Sequence, residues 1–282
     1  MVFYAFPLGI HRKFIDGDME RIKGRIFYYS GTGNTRLACQ YIAKKCRSVE
    51  FRLHDILSDG TPDLDSFGLV GFAAFADYLG PSKFISDFVR GLPKQQGKPA
   101  FVLSTFGAFN GATLRVMARE ASRRGFSVCA GYSLHTPENH PPHVAAGQTR
   151  AHAPDAAELV SFDRFIAALD DAAANSAANS WPRYRPSLLE RLVPALPRTT
   201  ARNQMGPKSV DAALCTRCGI CAKVCPYDAV TMPDLPAFDQ SKCYGCWACY
   251  NRCPTKAIYT RNYRGIGHYP EPIEALKAKL RV

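Results

Sequence analysis

Cysteine carries the chemistry of this sequence. Eight of its eleven cysteines fall in two runs, Cys215-x2-Cys218-x2-Cys221-x3-Cys225-Pro226 and Cys243-x2-Cys246-x2-Cys249-x3-Cys253-Pro254, and every position of the first recurs 28 residues later. Three thiolates in a tight loop with a fourth from farther away suit a cubane iron-sulfur cluster. In paired runs of this spacing the fourth cysteine serves the other cluster. The spacing therefore predicts two 4Fe-4S clusters, one held by Cys215, Cys218, Cys221 and Cys253, the other by Cys243, Cys246, Cys249 and Cys225. Zinc fits poorly, because its tetrahedral sites use Cys-x2-Cys pairs set well apart and would leave the third cysteine of each run surplus. A disulfide framework would need an oxidising compartment, and the N-terminal residues carry no export signal. The remaining Cys39, Cys46 and Cys129 stand in apolar surroundings and read as small buried hydrophobes.

From Ser209 to Arg261 the chain resembles the two-cluster bacterial ferredoxins, which implies a small α+β domain over residues 209–262. A unit of that size buries too little apolar surface to be stable unaided, so clusters would serve as its core.

The whole chain has 282 residues, 46% hydrophobic and 21% charged, enough for two folded domains. No apolar run reaches the roughly 18 residues of a membrane-spanning helix. Basic residues exceed acidic ones by twelve. The expected cofactors would bring about six negative charges, so much of this excess is compensation. Arg183, Arg185, Arg191, Arg198, Arg202 and Lys208 crowd a Pro- and Ala-rich stretch that reads as a solvated connector, with peripheral membrane contact the weaker alternative. No nucleic-acid motif accompanies them, and a cytoplasmic setting is expected.

The elements that would position a second cofactor lie upstream. Residues 25–29 read as a strand, Ser30-Gly31-Thr32-Gly33-Asn34-Thr35 as an anion-binding turn, and residues 36–45 as a helix with one apolar face. Glycines let backbone amides approach a phosphate, and a helix N-terminus adds partial positive charge. The loop lacks the Gly-Lys-Ser/Thr of a nucleotide triphosphate site and the third glycine of a dinucleotide fingerprint. Further strands are expected at 49–53, 69–75, 100–104 and 127–134, with helices at 82–90, 112–124 and 154–173. That makes a doubly wound α/β sheet of five parallel strands, whose ligand crevice lies beyond the strand ends where the order reverses. Asp77 and Tyr78 after the third strand, and Thr105, Phe106, Gly107 and Asn110 after the fourth, are placed to meet a flat ring system. Three histidines between His135 and His143 suggest a metal, but the intervening prolines favour a covering loop.

The hydroxyl-rich loop resembles the flavodoxin loop that grips the phosphate of FMN. Together with residues 105–111, 134–142 and the cysteine runs, the chain resembles the flavodoxin-ferredoxin fusion family of electron-transfer proteins. It departs from that pattern at His140, in place of an aromatic, and at Thr136, in place of methionine. The resemblance implies an FMN-binding flavodoxin-like domain at 25–174, a linker at 175–208, the ferredoxin domain at 209–262 and a tail at 263–282. Residues 1–24 read as an extension, with Met19 an alternative start. The expected activity is relay of low-potential electrons between the clusters, FMN and a redox partner protein. The alternative is an FMN-dependent reductase of a small molecule supplied by its own clusters.

Overall fold

The computed structural model describes residues 21–60, 63–175, 181–194 and 199–281. The first eighteen residues, with the alternative start at Met19, lie outside that set, as do residues 176–180 and 195–198 of the linker.

The chain runs β1 (Ile22–Tyr28), α1 (Asn34–Lys45), β2 (Val49–Asp55), β3 (Leu69–Asp77), β4 (Gly80–Pro81), α2 (Lys83–Gly91), β5 (Pro99–Phe106), α3 (Thr113–Arg123), β6 (Ser127–His135), α4 (Pro141–Ala145) and α5 (Ala156–Ala174). Five of these strands form a parallel sheet in the order β2-β1-β3-β5-β6, and β4 is a short antiparallel hook on β3. This is the flavodoxin-like order, with its switch point between β1 and β3. The strands read as near-continuous apolar runs because helices cover both faces. Alternation along β1 divides the core: Ile26 and Tyr28 join one cluster with residues of α1 and α5, whereas Phe27 and Tyr29 join another with residues of α2 and α3. β1 begins at Ile22, three residues before the expected start.

The connector is packed at both ends. Arg115 donates from Nε to the Glu190 carbonyl (2.9 Å) and from Nη2 to the Val193 carbonyl (2.8 Å), pinning α6 (Leu188–Leu192) to α3. Tyr184 lies against Gly131 of β6, and its amide donates to the Val128 carbonyl. α7 (Thr199–Met205) belongs to the small domain, where Met205 joins its core.

That domain continues with β7 (Lys208–Val210), α8 (Ile220–Lys223), β8 (Val230–Thr231), β9 (Ala237–Phe238), α9 (Ala248–Arg252) and β10 (Ile258–Thr260). β7 pairs antiparallel with β10, and β8 with β9. The small ferredoxin-like core contains Cys221 and Cys249 beside Met205, Val230, Trp247, Tyr250 and Ile258. Sulfur thus supplies part of what apolar side chains supply elsewhere.

The last helix, α10 (Glu274–Lys279), does not stay with the small domain. Leu276 and Leu280 are fully buried in the cluster that packs α1 and α5 on the sheet. Lys279 anchors the helix by donating to the Pro154 carbonyl (2.8 Å) and also to that of His152. The tail therefore returns across the molecule and fixes the two domains together. Among the described residues no helix is long and apolar enough to cross a membrane.

Candidate functional site: two thiol cages and the crevice at the sheet's switch point

The structure gathers the eight cysteines into two cages. Cys215, Cys218 and Cys221 surround one space with Cys253, and Cys243, Cys246 and Cys249 surround another with Cys225. Among the described residues no three or more His, Cys, Asp or Glu side chains converge as they would on a single metal ion. The thiols stand around a volume rather than a point.

The internal repeat extends to the donors. Ala257 N donates to Cys253 Sγ (3.2 Å) in the first cage, and Ala229 N donates to Cys225 Sγ (3.3 Å) in the second. The second cage has more donors: Gly245 N reaches Cys243 Sγ (3.4 Å), and buried Lys208 Nζ reaches the same sulfur at 2.8 Å. Gly245 has φ 72°. A Cβ there would lie 2.5 Å from the Ala201 carbonyl oxygen of α7, so glycine is required twice over.

The second cage rests on the carboxyl end of the sheet, at the switch point. Tyr29, one residue past β1, is fully buried, and burial, then the nearby Cys246 and Tyr227, push its pKa up. Phe84 of α2 meets Tyr227 edge-on (6.2 Å), and Lys83 lies over the Tyr244 ring (5.0 Å). His140 touches Tyr78 (6.0 Å), His143 (4.9 Å) and Trp247 (5.8 Å), all edge-on. Trp247 Nε1 and His140 Nε2 are buried without a hydrogen-bond partner among the described residues. Burial, and then His143, lower the His140 pKa to about 4, so the ring is neutral at physiological pH.

At the anion-binding turn, Ser30 Oγ accepts from the amides of Gly33 (3.1 Å) and Arg36 (3.3 Å), and Thr35 Oγ1 contacts Thr105 Oγ1 (2.8 Å). The amides of Gly31, Thr32, Asn34 and Thr35 have no acceptor among the described residues. Gly33 has φ 110°, and a Cβ there would meet Pro272 of the tail at 2.8 Å. A hydrogen-bonded ring ties this turn to the cysteine domain. Asn139 Nδ2 donates to Thr32 Oγ1 (2.8 Å), Asn251 Nδ2 of α9 donates to the Asn139 carbonyl (3.0 Å), and Tyr269 N donates to Asn251 Oδ1 (3.1 Å). Tyr269 Oη then donates to Asn34 Oδ1 (3.0 Å).

The other residues expected around a flat ring divide. Asp77 is buried near Cys246, whose pKa its charge helps to raise after burial. Phe106 instead lies parallel to His135 (5.1 Å, 15°), and Asn110 Oδ1 accepts from Ser104 Oγ (2.7 Å). Gly107 is closed over by Glu138, since a Cβ there would lie 2.7 Å from that carboxyl group. The Glu138 carboxylate accepts from the amides of Ala108, Asn139 and His140, and pairs with His143 Nδ1 (3.0 Å). Burial alone would raise its pKa, but the His143 contact and these amides hold it below the ordinary value. Glu138 and His143 thus brace a loop. The sequence assigns no role to Trp247, Asn251 or Tyr269, and reads Lys208 only as a charge of the connector and Asn139 only as part of the 135–143 loop, although Trp247 stands between ligand-spaced cysteines.

A profile of the 4Fe-4S dicluster domain family matches residues 214–258, which include all eight cysteines. No curated protein is significantly similar in sequence to this chain. Among solved structures, a flavodoxin from the domain Archaea is similar at 16% identity over 55% of this chain and 100% of its own, with a TM-score of 0.41. A Streptococcus pneumoniae TIGR4 flavodoxin is similar at 14% identity over 56% of this chain and 99% of its own, TM-score 0.40. A flavoprotein from Lactobacillus acidophilus, solved in complex with FMN, is similar at 14% identity over 40% and 93%, TM-score 0.32. The chain joins a flavodoxin-like sheet domain to a ferredoxin-like domain of the 4Fe-4S kind.

Proposed function

We propose that this chain is an electron-transfer protein that binds two 4Fe-4S clusters and FMN and relays electrons between them and a redox partner protein. The observation that carries the reading is the placement of the second thiol cage against the switch-point crevice, where flavodoxin-like sheets bind their ligand. Cys215, Cys218, Cys221 and Cys253 hold one cluster, and Cys243, Cys246, Cys249 and Cys225 the other. Burial pushes the Cys246 thiol up to about 12. It becomes a thiolate only beside positive charge such as ligated iron provides.

The residues present suit FMN at two points. Four unpaired amides at the start of α1 suit one terminal phosphate, with hydroxyls of Ser30, Thr32 and Thr35 beside them. The orphaned nitrogens of Trp247 and His140 are donors or acceptors in want of a polar ring edge, next to Tyr78. Clusters exchange single electrons and a flavin one or two, so the combination suits relay or one-to-two-electron conversion. The chain's own part is to hold the two sites in contact. Anaerobically purified protein should carry about eight iron and eight acid-labile sulfides per chain, with FMN as the released flavin. Four iron, substantial zinc or FAD would overturn the reading. Saturable flavin reoxidation by one small molecule, without a partner protein, would make it a reductase instead.

A further inference from the structure

The two cages are related by a repeat, but only the second has a cation inside its wall. Lys208 opens β7, is 8% exposed, and places Nζ 2.8 Å from Cys243 Sγ and 5.6 Å from the centre of the Phe238 ring. Position 236, 28 residues on, is Pro236, so the first cage has no equivalent. No lysine or arginine lines the first cage among the described residues, and Arg217, between two of its cysteines, is exposed and paired with Asp234 (2.7 Å).

This difference matters because the second cage is the more buried of the two. The first cage has one exposed cysteine, Cys218, and one buried, Cys221, whereas the second has two buried, Cys243 and Cys249, and none exposed, and Asp77 adds negative charge on the sheet side. Reduction places one more negative charge on a cluster. Burial and Asp77 both disfavour that charge, and a contacting ammonium favours it.

Resting on the two-cluster reading above, we propose that Lys208 is a positioning and tuning residue that raises the reduction potential of the cluster at the sheet. Through it, a single electron given to the exposed cage by a low-potential one-electron donor moves on to the buried cage beside the flavin crevice. One cluster is oxidised and the other reduced in that step, and no proton is required.

The test is a redox titration of the full-length anaerobic protein, followed by electron paramagnetic resonance. Cys225→Ser and Cys253→Ser identify which signal belongs to which cage. Lys208→Met should shift the reduction equilibrium of the Cys225-linked signal at least tenfold towards the oxidised form, which is 59 mV for one electron. The other signal should stay in place. Lys208→Gln, which keeps a donor without the charge, should move the same way, and Lys208→Arg should hold the native value. Unchanged potentials at full iron content, or a shift confined to the other signal, would overturn the assignment. So would loss of iron from the buried cage in both uncharged variants, because Lys208 would then be structural. A native iron content of four would instead defeat the two-cluster reading itself.

Discussion

The first and second cysteine runs have one spacing and opposite surroundings. In the first, positions 216, 219, 222 and 223 are Thr, Gly, Ala and Lys; their counterparts are Tyr244, Trp247, Tyr250 and Asn251. Gly219 and Trp247 begin α8 and α9 in the same left-handed conformation, at φ 72° and 61°. Glycine takes it without strain, whereas a bulky side chain there is an outlier costing roughly 1–3 kcal/mol. The indole is held there by His140, Tyr250 and Tyr263. The repeat supplies two cages, and the residues at its non-ligand positions turn one towards the sheet domain while the other keeps an exposed cysteine, Cys218.

The strongest way to break that comparison is to remove one shared ligand. Cys225→Ser should eliminate or convert the cluster of the second run, leaving the first near full occupancy by iron analysis and resonance spectroscopy. Loss of the first cluster instead would refute cross-ligation. A large effect is also expected far from either cage. Leu276→Ala should destabilise the sheet domain by about 2–5 kcal/mol, the usual cost of emptying a buried leucine site, and thermal unfolding of that domain should show it. An unchanged midpoint would mean that α10 is not part of that core.

Trp247→Gly makes the second run locally like the first. It should keep both clusters and relieve backbone strain, yet weaken flavin retention at least tenfold, as measured by equilibrium dialysis. Native retention would remove Trp247 from the flavin site.

The smallest effect concerns acid. His140 titrates near 6.5 when unfolded and near 4 when folded. Between these values the unfolded chain binds more protons, so stability falls as pH falls through that window and levels off below it. His140→Asn should flatten the acid limb of the unfolding-temperature profile between about pH 6.5 and 4. An unaltered slope would show that the ring is not kept neutral by its surroundings.

What was legible in the sequence was whatever repeats or alternates. Cysteine spacing named the cages, and apolar runs separated by helical patterns named the sheet and its crevice. The contacts between units were not legible. Leu276 and Leu280 mark an amphipathic turn but say nothing of which core receives it. Lys208 looked like one more charge in a basic connector, because burial is set by the β7–β10 pairing and not by its neighbours in sequence. Phe106 was placed for a ring system, yet it lies on His135, a partner brought in only by the β5–β6 register. The connector, read as a solvated tether, is pinned by Arg115, and the tail and the Thr32–Asn139–Asn251–Tyr269–Asn34 ring fix the domains in contact.

A fixed contact between the buried cage and the crevice has a kinetic signature. Loaded protein mixed anaerobically with a strong one-electron donor should first reduce its clusters and then its flavin, with the second phase followed by flavin absorbance across a range of protein concentrations. The account predicts a second-phase rate independent of protein concentration. A rate that rises in proportion to concentration would place the transfer between molecules and contradict it.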